Sequence, residues 1–180
     1  EAIIHSHPNG PFYPSEADMQ GQLESGIAWG ITICAGSSAS VPLMWGGDTP
    51  KAPLEGRDFI HGIQDCYALA KDYYKQELGI ELMDMAREDN WWLSETKNKN
   101  FYMAFHDMVG FVKVDELQPH DLVLMKIVSS TANHVAIYTG GDEILHHLAE
   151  RKSLRETGVM RWKKHIVGYF RHKSLMKKDD

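Results

Sequence analysis

Cysteine is scarce: Cys34 and Cys66 are the only two in 180 residues. They are too few and too far apart to staple a small disulfide fold, so each is read as a reduced thiol and judged by its neighbours. Long hydrophobic runs are also lacking. No apolar stretch could cross a bilayer, and the first residues carry neither the charged leader nor the apolar core of a secretory signal. No methionine starts the chain, as expected of a product that is trimmed or that begins inside a longer one. Positive charge is in deficit, with 19 Lys and Arg against 25 Asp and Glu for a net charge of -6. That balance excludes the broadly cationic surface that general nucleic-acid binding requires. Internal repeats and low-complexity tracts are absent.

What is present suits a globular protein, with 43% hydrophobic residues to build a core. Charge is uneven: from Glu150 onward there are ten Lys and Arg against four Asp and Glu. This basic end is either a solvated face or a surface for a carboxylate-bearing polymer or an acidic partner. The stretch Gly46 to Asp58, GGDTPKAPLEGRD, is rich in Gly, Pro and charge and reads as a linker. It divides residues 1–48 from residues 59–176, with the linker proper at 49–58. The first part offers a strand in EAIIHSH, a short helix in PSEADMQGQLESGIAWG and a second strand in GITICAG. At about fifty residues it is too small for a core of its own and is expected to lean on something larger, its free strand edge serving as a docking surface.

In the second part, Leu69, Ala70, Tyr73, Tyr74 and Leu78 recur at helical spacing through CYALAKDYYKQEL, and Asp65 is placed to cap that helix. A further helix is expected at Lys99 to Val109. LVLMKIV, HVAIYTG, EILHHL and HIVGYF then read as strands. The fold class is therefore α+β with an antiparallel sheet.

Two constellations carry chemistry. In a strand, His5 and His7 point the same way, and Asp18 follows from the next helix. Two imidazoles and a carboxylate, with water in the fourth position, form a catalytic zinc set in which the bound water titrates near neutrality. Ser15 would sit as an oxyanion or water partner. The same PSEAD stretch is also a capping box, with Ser15 as N-cap and Asp18 three residues on. The order H-S-H-P, six residues, then S-x-x-D resembles the metal-binding motif of JAMM metallopeptidases. That family also uses a glutamate base well upstream, for which Glu1 stands too close to His5. The segment is therefore expected to be a partial JAMM-like unit, able to hold zinc but not equipped for metallopeptidase turnover.

The second constellation begins with DCYALA, which puts Cys66 in the first turn of a helix, where free N–H groups and the macrodipole favour an anion. The dipole contributes about 0.3 to 1 kcal/mol, less than one pKa unit, so a partner is still needed to make a thiolate. His134, opening HVAIYT, is the candidate base, and a third group should orient it. If Thr139, Gly140 and Gly141 form a three-residue turn, His134 and His146 fall directly opposite on one hairpin face. His147 then points to the other face and ranks second. Cys34, inside GITICAG, reads as a small buried hydrophobe. Trp91 and Trp92 are either core aromatics or groove lining.

DCYALAKDYY followed by NHVAIYTGGDEILHH resembles the NlpC/p60 family of cell-wall cysteine peptidases, over roughly Phe59 to Arg171. The resemblance implies a papain-like domain with the cysteine helix packed on an antiparallel sheet, Cys66 as nucleophile, His134 as base, His146 as third member, and no cofactor. The family has Gly before Asp121 where this chain has His120, a departure that bears on a turn rather than on the triad. A JAMM-like segment ahead of an NlpC/p60-like domain is similar to a family of tail tip proteins of lambda-like siphophages. That likeness implies a virion protein that cleaves peptidoglycan stem peptides in the host periplasm or cell wall during assembly or genome entry, with other tail tip proteins as partners. Two alternatives stand beside it: a structural tail-tip plug with an idle or occluded site, and a host-type cell-wall remodelling endopeptidase. An isopeptidase of the JAMM type would instead depend on zinc and be indifferent to Cys66.

Overall fold

The structure is a computed structural model and describes residues 1–91 and 109–176. Trp92, and all but the last residue of the helix expected at Lys99 to Val109, lie outside the described residues.

The chain opens with a β-α-β unit: β1 (Ala2–Pro8), α1 (Glu16–Ser25) and β2 (Ala28–Ala35), with β1 and β2 parallel. Helix α1 is shorter than the expected stretch. Gly26 takes φ 68 and ends it, which hands Ala28–Gly30 to β2. Two short strands, β3 (Ser38–Ala39) and β4 (Leu43–Trp45), pair antiparallel with β2, leaving β1 at the edge of the sheet. Cys34 sits half-buried in β2.

Residues 46–58 contain no helix or strand but are strapped down. Arg57 is buried, pairs with Asp72 at 2.6 Å, and donates its backbone N–H to Ser153 Oγ at 2.9 Å. The two parts also meet at Gly62, where an added Cβ would stand 2.5 Å from Met19 Cε of α1.

Helix α2 (Cys66–Leu78) begins and ends where its apolar spacing places it, capped by Asp65 at one end and by Gly79 at φ 66 at the other. It packs on one face of a six-stranded antiparallel sheet formed by β5 (Phe111–Val114), β6 (Leu122–Met125), β7 (His134–Gly140), β8 (Glu143–His146), β9 (Leu154–Thr157) and β10 (Ile166–His172). The spatial order is β5-β10-β6-β7-β8-β9. Leu69, Ala70, Tyr73 and Tyr74 of α2 share a core with Leu124, Val135, Ile137 and Leu145. On the opposite face, Val123, Met125, Ala136 and Ile144 form a second core with Val159 and Trp162. Burial on both faces explains why β6 and β7 read as nearly continuous apolar runs.

At the turn before β6, His120 keeps the left-handed backbone that a glycine would favour, at φ 76. Helix α2 holds it there: Tyr73 Oη lies 2.8 Å from His120 Nδ1, and the Tyr74 hydroxyl donates to the His120 carbonyl. The fully buried Asp121 next to it takes a two-pronged hydrogen bond from Arg171, at 2.8 and 2.7 Å.

Candidate active site and candidate metal centre

The β-α-β unit brings His5, His7 and Asp18 together, their ligand atoms all within 4.8 Å of one another. His5 Nε2 stands 3.0 Å from His7 Nε2 and 3.0 Å from Asp18 Oδ1, and His7 Nε2 is 3.3 Å from Asp18 Oδ2. His7 Nδ1 donates to the Pro11 carbonyl at 2.8 Å, so in the neutral ring Nε2 is the lone-pair atom. That lone pair faces a carboxylate and a second imidazole, an arrangement that a cation or a shared proton relieves. Burial pushes the Asp18 carboxyl up, but the Ser15 hydroxyl and amide, followed by the two imidazoles, outweigh it and leave it below its ordinary value. The capping box is formed: Ser15 Oγ donates to Asp18 Oδ2 at 2.6 Å, and the Ser15 N–H does so at 2.8 Å. Among the described residues, no glutamate joins this cluster.

The second site lies where the start of α2 meets the start of β7. Asp65 accepts from the N–H groups of Ala68 (2.9 Å) and Gly62 (2.8 Å) and pairs with the buried Arg87. Burial would raise its carboxyl, but Arg87, His61 and the Ala68 N–H overcome that and hold it at about 2. This charged cap fixes the first turn of α2, and the buried Cys66 is its first residue. Cys66 and His134 both line a cavity of about 360 Å³, together with His61, Trp91, Val128 and His147. Trp91 belongs at the same time to the core, so its two expected roles coincide.

His134 is buried, and burial, reinforced by His146 and His147, lowers its pKa to about 3. Its ring meets His146 edge to face with centroids 5.5 Å apart. Burial also lowers His146, against the upward pull of Glu156, whose Oε2 lies 3.3 Å from His146 Nε2. Trp162 packs edge-on against the same ring at 5.4 Å.

The hairpin register differs from expectation. His146 lies opposite Ala136, not opposite His134. The reversal falls on Gly141 and Asp142, which take φ 59 and 67, and the ladder slips between Tyr138 and Gly140. Two left-handed residues make a tight two-residue turn with the twist that hairpins favour; the turn moves the pairing by three and the slip returns one, a net shift of two. A shift of two keeps both rings on one face, so they meet diagonally.

Residues 40–171 match the NlpC/P60 family. The chain belongs to this family. It is also similar to the tail tip assembly protein K of Escherichia phage lambda, 36% identical over 175 residues that cover 96% of this chain and 82% of that protein. Likeness to the tail tip assembly protein K of Escherichia phage N15 is 31% over 175 residues, covering 97% and 70% respectively. A crystal structure of a lipoprotein-like NLP/P60 family protein from Staphylococcus aureus aligns with a TM-score of 0.43 at 21% identity, over 66% of this chain and 37% of that one.

In this NlpC/P60 member, sequence reasoning passed over Arg87, His61 and Glu156. Arg87 opens REDNWW, beside the two tryptophans. Its partner Asp65 is 22 residues away, and no local periodicity links them. Glu156 reaches His146 only through the β8–β9 pairing, which depends on the intervening loop.

Proposed function

We propose that this NlpC/P60 member is a phage tail tip protein that hydrolyses amide bonds in peptidoglycan stem peptides, with Cys66 as nucleophile, His134 as base and His146 as third member. The observation that carries the reading is the shared cavity: a cysteine at a capped helix N-terminus and a buried histidine line one wall-to-wall space. A buried imidazole is a weak base when alone. Proton transfer from thiol to His134 works as an ion pair, in which thiolate and imidazolium stabilise each other. The thiolate then attacks the amide carbonyl, the imidazolium protonates the leaving amine, and water releases the acyl group from sulfur. No cofactor is required.

The names of the two phage relatives support a place in the virion tail, with neighbouring tail tip proteins as partners; the proposed substrate would put the site of action in the host periplasm or cell wall. No helix among the described residues is long and apolar enough to cross a membrane. The deciding experiment is digestion of purified peptidoglycan by the chain and by Cys66→Ala, with fragments identified by mass. Stem-peptide cleavage lost in the variant supports the reading. Equal absence of products from both favours the structural plug instead.

The histidine cluster supports a second element, a zinc ion held by His5, His7 and Asp18 as in JAMM metallopeptidases. The donor set fits: two imidazole nitrogens and a carboxylate converge, and the Pro11 carbonyl turns the lone pair of His7 Nε2 inward. When bound, zinc supplies Lewis-acid activation of a water. Ser15 orients Asp18. Stoichiometric zinc in the purified protein, lost in His7→Ala, supports this element; metal-free protein that takes up no added zinc removes it.

A further inference from the structure

We infer that Glu156 is a positioning residue of this site: from β9 it fixes the tautomer of His146, and through it that of His134. The inference rests on reading Cys66 and His134 as nucleophile and base. A neutral imidazole carries one N–H and one lone pair, and which nitrogen is which decides whether a histidine can accept the thiol proton. His146 is held between two groups. Its Nε2 lies 3.3 Å from the Glu156 carboxylate, which can only accept, so the ring proton is drawn to Nε2 and Nδ1 is left as the acceptor. On the other side stands the His134 ring, with centroids 5.5 Å apart, while Trp162 fixes the orientation of His146.

Four buried nitrogens around this junction have no hydrogen-bond partner among the described residues: His146 Nδ1, His134 Nε2, Trp162 Nε1 on the ring packed against His146, and His147 Nδ1 in the shared cavity. An N–H···N bond from His134 Nε2 to His146 Nδ1 would pair the two imidazole nitrogens, and the 5.5 Å between ring centroids leaves it within reach of a small ring rotation. With its proton on Nε2, His134 keeps its lone pair on Nδ1, the nitrogen left to take a proton from the thiol lining the same cavity. Without Glu156 the order can reverse. A proton on His146 Nδ1 makes His134 Nε2 the acceptor, moves the His134 proton to Nδ1 and closes the base. The other charged groups facing His146 are His134 itself and Arg151 from the loop after β8; Arg151 disfavours a second proton on the ring. His147 lines the cavity with Cys66 and His134, and its Nε2 donates to the Arg151 carbonyl at 3.1 Å.

The test follows Cys66 alkylation by iodoacetamide at neutral pH, read by peptide mass, in the full chain and in Glu156→Ala, Glu156→Gln and Glu156→Asp. Cys34 serves as the internal control. Where a histidine ligates a metal, loss of the outer partner that sets its tautomer costs about 10- to 100-fold, and the same order is expected here. Glu156→Ala should therefore slow Cys66 by that factor with Cys34 unchanged, and Glu156→Asp should recover part of the rate. Glu156→Gln should fall between, because its amide can donate as well as accept. Ring ¹⁵N shifts supply a second reading that needs neither substrate nor reaction: His146 as a single Nε2–H tautomer in the parent, and a mixture in Glu156→Ala. A parent-like Cys66 rate in Glu156→Ala, or an unchanged tautomer, overturns the inference. Neither measurement uses peptidoglycan, so failure to digest it would count against the proposed substrate and leave this inference standing.

Discussion

Tyr13 donates its phenolic hydrogen to Asp89 Oδ2 at 2.8 Å, and that bond ties the histidine cluster to the cysteine cavity. Tyr13 lies in the loop between β1 and α1, two residues after the Pro11 carbonyl that orients His7. Asp89 lines the cavity that holds Cys66, and the Tyr13 ring also meets His61 of the same cavity edge-on at 5.8 Å. Through Tyr13 the first fifty or so residues are thus fastened to the outside of the cleft wall.

Tyr13→Phe removes one hydrogen bond and keeps the ring. The expected loss is about 1 kcal/mol, or roughly 2–4 °C in Tm for a protein of this size. The bond to Asp89, then burial, raises the Tyr13 pKa above its ordinary value of 10.0. A raised pKa means that the folded state keeps the phenol proton. The contribution is therefore complete below pH 10 and is lost as pH rises through the folded-state pKa. Melting temperatures of parent and variant should differ at neutral pH and converge on the alkaline side; coincident values at neutral pH would show that the bond contributes nothing, and a constant offset that the phenol proton is not what matters.

The His120 turn makes a sharper pair of outcomes. A non-glycine residue at φ 76 carries a cost of about 1–2 kcal/mol, offset here by the hydrogen bond to Tyr73 worth about 1 kcal/mol. His120→Gly loses both terms and should be nearly neutral. His120→Val keeps the backbone cost, adds β-branching and gives up the bond, so it should destabilise by about 2 kcal/mol or more. Urea unfolding of the two variants checks the ordering, and equal destabilisation by both would refute it.

Local chemistry made much of this legible. The bounds of α2 and its Asp65 cap follow from apolar spacing and a capping side chain, both of which act within a few residues. The convergence of His5, His7 and Asp18 needs only strand alternation and one turn of helix. What escaped was set at longer range. Strands β5 (FVKV) and β9 (LRET) are short, neither alternates apolar with polar residues, and only pairing with β10 and β8 makes them strands. The His134–His146 register turned on whether the hairpin closes with two residues or three, since glycine at both 140 and 141 permits either. Asp65–Arg87 and His146–Glu156 belong to pairings between elements, which carry no sequence period.

His134 provides a pH signature that does not depend on any substrate. Burial first, then the neighbouring His146 and His147, depresses its pKa from 6.5 to about 3. The unfolded chain takes up a proton at this residue near pH 6.5, while the folded chain resists until about pH 3. Between those values the unfolded state binds more protons, so stability must fall as pH falls, by on the order of a few kcal/mol across the window. His146, His147 and His172 are lowered too and act in the same direction, which is why the measurement must be a difference. His134→Asn removes the titrating group and keeps polar bulk. Against the parent it should be no more stable at pH 7.5, where His134 is neutral in folded and unfolded chain alike, and should lose less stability on going to pH 4.5. Urea unfolding at the two pH values measures both quantities, and parallel losses in parent and variant would mean that His134 is not held neutral by its surroundings.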